Sequence, residues 1–119
     1  MADVTVKSIA EMDKSEGGGF HYAGRSLGVS AWGMNVETFS AGWDGYPEHD
    51  HAGDGQEEVY VPIEGSVTLT AGDQSWELTP GTMARVGAGQ TRKVVPGPGG
   101  VTMVVLGGTP GKAYEPKQG

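Results

Sequence analysis

The sequence predicts an all-β domain, either a closed barrel or a two-sheet jelly roll, and three observations carry that prediction. Glycine occurs 22 times in 119 residues, more than twice its usual share of about 7%, with no collagen-like period. Short runs rich in Val, Thr and aromatic residues lie between those glycines, as in chains with many tight turns. No stretch shows the 3.6-residue apolar period of an amphipathic helix. The length fits one domain, 1–119, with the barrel core at about 28–107.

Taken in order, Val4 to Ile9 partly alternates and is expected as an edge strand, and Ser15 to Gly19 breaks the chain. Trp32, Met34 and Val36 follow period two, placing a strand over Ser30 to Thr38. Ala41 to Pro47 forms a loop into a short strand at Glu48 to His51, and Ala52 to Gln56 forms another loop. Glu58 to Ile63 is expected to end at Glu64-Gly65, followed by Ser66 to Thr70, a turn at Ala71 to Gln74, and Ser75 to Leu78. This is the pattern of a β-meander. Thr79 to Thr82 turns the chain before Met83 to Val86, and Gln90 to Val95 follows a glycine loop. Pro96 to Gly100 reads as a turn and Val101 to Leu106 as the last strand, so about eight strands are expected.

The charge excludes several functions. Eight basic against fifteen acidic residues give a net charge of −7, and the strongest basic segment is the pair Arg92-Lys93. Nucleic acid and anionic lipid need more than that. No apolar run reaches membrane-spanning length, and no signal-peptide core is visible, so a cytoplasmic location is expected. There is no cysteine, which rules out disulfides and thiolate metal ligands.

The chemistry concentrates around two of the three histidines. His49 and His51 are two apart on an extended segment, so their side chains share a face. Glu58 follows across a short loop. Two imidazoles and a carboxylate suit Fe(II), Mn, Ni, Zn or Co.

The stretch Gly45-Tyr46-Pro47-Glu48-His49-Asp50-His51, then Glu58, then Gly65 after the six residues Val59 to Glu64, resembles the first motif of the cupin superfamily. Gly81 through Gly87-Ala88-Gly89 to Arg92 is similar to the second motif. The resemblance implies a cupin-type double-stranded β-helix, a jelly-roll barrel of the RmlC-like kind, holding a divalent metal through His49, His51 and Glu58. It also implies a homodimer packed through sheets. Three departures stand out: a longer loop between His51 and Glu58, Gly87 in place of a proline, and Arg92 where the second motif supplies a further histidine.

Arginine stays protonated and does not ligate. A guanidinium about 5 Å from a dication repels it by several kcal/mol at an effective dielectric of about 20. Arg92 must therefore turn away, pair with Glu57 or Glu58, or face an anion held between it and the metal. As an anion anchor it favours a small anionic ligand. Glu57 competes with Glu58 for the inward position. An inward Glu58 brings Tyr60 and Pro62 with it and leaves Val59, Val61 and Ile63 outside, where the N-terminal strand or a second subunit must cover them. Tyr60, with Tyr46 beside it in rank, is a candidate general acid. His21, in the glycine-rich N-terminal region, has no evident reason to point inward.

Three functions fit these residues. One is a metal cupin acting on a small anionic metabolite by oxygenation, decarboxylation or isomerisation. The alternative is a metal-free cupin that binds or senses a small organic ligand without catalysis. The third is metal-free acid–base chemistry with a histidine base and a tyrosine acid. Fold alone does not choose among them.

Overall fold

The structure is a computed structural model and describes residues 2–116. Its strands are β1 (Phe20–His21), β2 (Gly33–Phe39), β3 (Glu57–Ala71), β4 (Gln74–Leu78), β5 (Ala84–Val86) and β6 (Lys93–Gly108), with one short helix, α1 (Ala23–Leu27). All pairings are antiparallel, in the order β1-β2-β6-β3-β4, with β5 on the first half of β3. The all-β expectation holds, and the sheet curls into a jelly roll around one apolar interior.

Two long strands replace four expected short ones. Glu64-Gly65 does not end a strand, and Pro96 to Gly100 does not form a separate turn. β3 and β6 run on through both places, with register shifts between Pro62 and Glu64 and between Gly65 and Val67. Such bulges bend a strand instead of ending it. At the bend Gly65 has φ +75° and Gly100 φ +77°. A Cβ on Gly65 would lie 2.1 Å from the Gly100 carbonyl oxygen, so only glycine lets the strands cross so closely. Each long strand thereby contributes to both halves of the roll.

The N-terminal edge strand expected over Val4 to Ile9 is absent. That stretch joins no sheet, Val4 and Val6 are exposed, and a 3-10 turn spans Ile9–Glu11. Ser8 closes that turn by donating from both its N–H and its hydroxyl to Glu11 Oε1, each at 2.9 Å. Alternation alone makes no strand where no sheet edge is within reach. Phe20–His21 takes that edge instead, pairing with Glu37 and Val36. α1 was not foreseen either; it has five residues and ends at Gly28 in the left-handed region, φ +83°.

Two apolar clusters result. Phe39, Tyr46, Tyr60, Val67, Leu69, Val94, Met103 and Val105 fill the interior. Outside the sheet, Met12 and Ala23 bury themselves against Val36, with Ile9, Leu27, Met34 and Val104 around them. The N-terminal residues therefore cover part of the outer aliphatic face, although not as a strand. Val59 and Val61 stay half-buried, and Ile63 is 48% exposed. No helix among the described residues is long and apolar enough to cross a membrane.

Candidate metal centre

β3 settles which glutamate faces inward. Glu58, Tyr60 and Pro62 share the interior face, and Tyr60 and Pro62 are fully buried. Glu57 faces outward, where Arg85 clamps it through Nε at 3.0 Å and Nη2 at 2.9 Å. On β6, Gly107 lies opposite Glu58. A Cβ there would come within 2.8 Å of Gln56 Oε1 and 3.6 Å of Glu58 Cγ, so this glycine keeps room beside the carboxylate.

His49 and His51 are positioned by backbone. His49 exchanges both main-chain hydrogen bonds with Arg92, at 3.0 and 2.9 Å, and His51 N–H donates to the Ala88 carbonyl at 2.8 Å. The strand expected over Glu48 to His51 is reduced to the single bridge at His49, and both rings still turn to the same side. His49 Nε2 lies 3.8 Å from Glu58 Oε1, and His51 Nε2 lies 3.5 Å from Glu58 Oε2. One ligand atom from each of the three falls within 4.8 Å of the others. All three side chains are mostly, but not wholly, shielded from solvent.

The opposite ring nitrogens are already engaged. His49 Nδ1 is 3.0 Å from the Pro47 carbonyl, and His51 Nδ1 is 3.2 Å from both Asp54 carboxylate oxygens. These partners are acceptors, so the hydrogen-bond network assigns the proton to Nδ1 on each ring. The Nε2 lone pairs are then free and face Glu58. Carboxylate and carbonyl acceptors behind ligating histidines orient metal sites in this way. Asp54 is itself held: its Oδ1 accepts from Gln56 N–H at 3.1 Å. Metal–nitrogen bonds of about 2.0–2.1 Å need only a modest inward shift of these side chains. The donor set therefore fits a divalent ion.

Arg92 is fully buried and points at the site. Its Nη2 pairs with Glu58 Oε1 at 2.5 Å, Nε donates to the Tyr60 hydroxyl at 3.3 Å, and Nη1 donates to the Gln90 carbonyl at 2.9 Å. Burial by itself would lower the Arg92 pKa, but the hydrogen bonds to Tyr60 and Glu58 outweigh it and raise it. Tyr60 in turn donates to Glu58 Oε1 at 3.0 Å. Burial first, and then the Glu58 charge, push the Tyr60 phenol up to about 12. Its proton and the Arg92 charge are both spent on Glu58. Both therefore hold Glu58 through Oε1, leaving Oε2 toward His51. Tyr46 is buried beside them, its pKa raised by burial. His21 lies on the outer side of β1, away from this group, in register with Val36.

Sequence reasoning missed Glu37. The period-two pattern puts Met34 and Val36 on one face of β2, and that face packs on the outer cluster. Asn35, Glu37 and Phe39 form the inward face of β2. Glu37 is 2% exposed, and burial, followed by the Glu58 charge, pushes its pKa up to about 8. It lines a cavity of about 380 Å³ together with Asn35, His51, Gln56 and Glu58. The available signal was the alternation itself, read with the opposite face turned inward.

No protein-family model matches the chain, and no curated protein matches it. Solved structures do. A cupin protein from Bacteroides fragilis aligns with a TM-score of 0.73 at 18% identity, covering 98% of this chain and 93% of that one. A sugar phosphate isomerase of the cupin superfamily from Silicibacter pomeroyi aligns with a TM-score of 0.66 at 24% identity, over 74% of this chain and 57% of that one. A DMSP lyase from Ruegeria pomeroyi gives 0.59 at 21% identity, over 71% and 42%. This chain thus spans little more than half of the isomerase and less than half of the lyase. Curled antiparallel sheet, an inward histidine pair and a cavity beside it define a jelly-roll domain with an internal site. The chain has the cupin fold.

Proposed function

We propose that the protein binds a divalent metal ion, of the group Fe, Mn, Ni, Zn and Co, through His49, His51 and Glu58, and acts on a small anionic metabolite in the adjoining cavity. One observation carries this reading. Both Nδ1 atoms are tied to oxygen acceptors, while both Nε2 atoms face the same carboxylate. A purely structural histidine pair has no need of that arrangement. A bound dication would supply Lewis acidity and open coordination positions. With Arg92 offsetting Glu58, its charge would stand uncompensated and favour an anionic ligand; Arg92 would act through its field and through Glu58. The isomerase and the lyase among the structural neighbours are consistent with small-molecule chemistry in such a barrel.

Metal analysis of protein purified without chelator or nickel resin is expected to find stoichiometric metal. His49→Ala combined with His51→Ala should abolish it. Protein that takes up none of these ions on titration would overturn the proposal. The Arg92–Glu58 ion pair favours a second reading, a metal-free binding module. Stabilisation by organic acids with no response to metal or chelator would establish it. For assembly, we propose a homodimer through the uncovered outer face around Val59 and Ile63; a monomeric mass by light scattering would exclude it.

A further inference from the structure

We propose that Glu37 is a specificity-determining residue of the cavity, exchanging hydrogen bonds with an oxygen of a small hydroxycarboxylic acid. This rests on the anionic-ligand reading above and adds the wall of the site that reading left unassigned.

The Glu37 side chain is buried, yet its Oε1 has no hydrogen-bond partner among the described residues. Folded proteins keep few such groups, because an unpaired buried oxygen loses its water without recompense. Nearby cations are committed elsewhere: Arg92 to Glu58, Tyr60 and the Gln90 carbonyl, Arg25 to Asp13 and the Tyr22 ring. Phe20 and Met103, opposite Glu37 on the flanking strands, offer nothing to bond to. The Tyr46 phenol, near enough for its charge and that of Glu37 to repel, is not hydrogen-bonded to Oε1. What Glu37 does face is the cavity it shares with His51 and Glu58.

The cavity defines the class of occupant. Its volume of about 380 Å³ suits a molecule of a few carbons. Asn35, Glu37 and Gln56 supply hydrogen-bonding groups on the wall. A carboxylate suits the side of the cavity where His51 and Glu58 would hold a metal ion, and a hydroxyl or second oxygen suits this wall. A carboxyl that keeps its proton at neutral pH, as burial makes Glu37 do, both donates and accepts and does not repel an anion.

The test compares wild type, Glu37→Gln and Glu37→Leu, each in chelator-treated and Co(II)-treated form, with malate and gluconate as probes. Binding is read by calorimetry and by thermal shift. Wild type should bind at least one probe, Glu37→Gln should keep part of the affinity, and Glu37→Leu should lose about tenfold or more. Without probe, Glu37→Leu should melt no lower than wild type, since it removes an unpaired polar atom. Equal probe affinity in all three proteins overturns the Glu37 role and leaves the anionic-ligand reading standing. No probe binding to wild type overturns both. A lower melting temperature in both variants makes the carboxyl structural and also overturns the proposal. The Co(II) absorption spectrum reports on the histidines and Glu58 separately, so the metal reading succeeds or fails independently.

Discussion

Replacing Glu37 with glutamine should abolish a large pH dependence of stability. An exposed carboxyl of this kind ionises near 4.5, and burial, with the Glu58 charge, pushes Glu37 up to about 8 in the fold. The folded state therefore holds a proton that the unfolded state gives up across that range. The stability from the neutral carboxyl is fully present below about pH 4.5 and is lost as the pH rises to about 8. At 1.36 kcal/mol per unit, the whole shift amounts to about 5 kcal/mol. Between about pH 5 and about pH 8.5 the wild type should lose about 4 kcal/mol more than Glu37→Gln. Urea denaturation of chelator-treated protein at the two pH values measures the difference directly. Histidines and other carboxyls titrate in both proteins and cancel in the comparison. Parallel stability curves, separated by a constant offset, would refute the reasoning and show that Glu37 is ionised or solvated in the fold.

Other perturbations have equally definite outcomes. Gly65→Ala should prevent folding or cost more than about 3 kcal/mol, because its Cβ would meet the Gly100 carbonyl at 2.1 Å. Gly72→Ala, at φ +63° with nothing nearby, should cost only about 1–2 kcal/mol; equal losses in a denaturation series would contradict the bend. Arg92→Leu strands the Glu58 charge and should destabilise metal-free protein by about 3–5 kcal/mol, and added Zn(II) should recover part of the loss. Asp54→Ala removes the acceptor behind His51 and should weaken Co(II) affinity by about 10- to 100-fold; unchanged affinity in a competition titration would show that His51 needs no such support.

Some of the site is local in sequence and was readable for that reason. The pair His49 and His51 follows from the two-residue repeat of extended chain. The spacing from Glu58 to Gly65 correctly chose Glu58 over Glu57, against the pull of Val59, Val61 and Ile63. Hydrophobicity pointed the other way because the outer face of β3 is apolar too, with Val59 and Val61 half-buried and Ile63 exposed on it. Glu37 was not legible because its facing depends on the pairing of β2 with β6, which sets it opposite Met103, far along the chain. The continuity of β3 and β6 was hidden for a similar reason. Glycine and proline mark an irregular backbone, but only the partner strand decides whether the chain bends or turns back there. Val4 to Ile9 is the converse case, a pattern without a partner.

The two main-chain hydrogen bonds between His49 and Arg92 have a consequence for how this centre can change. They fasten a ligand-bearing segment to the segment carrying the arginine, and neither bond uses a side chain. Those two bonds therefore need no particular side chain at position 92. A different residue there would alter the charge and donor number of the centre, with the Glu58 charge then left for a bound ion to balance. Protein engineers would find here a socket that takes a new residue once that charge is met.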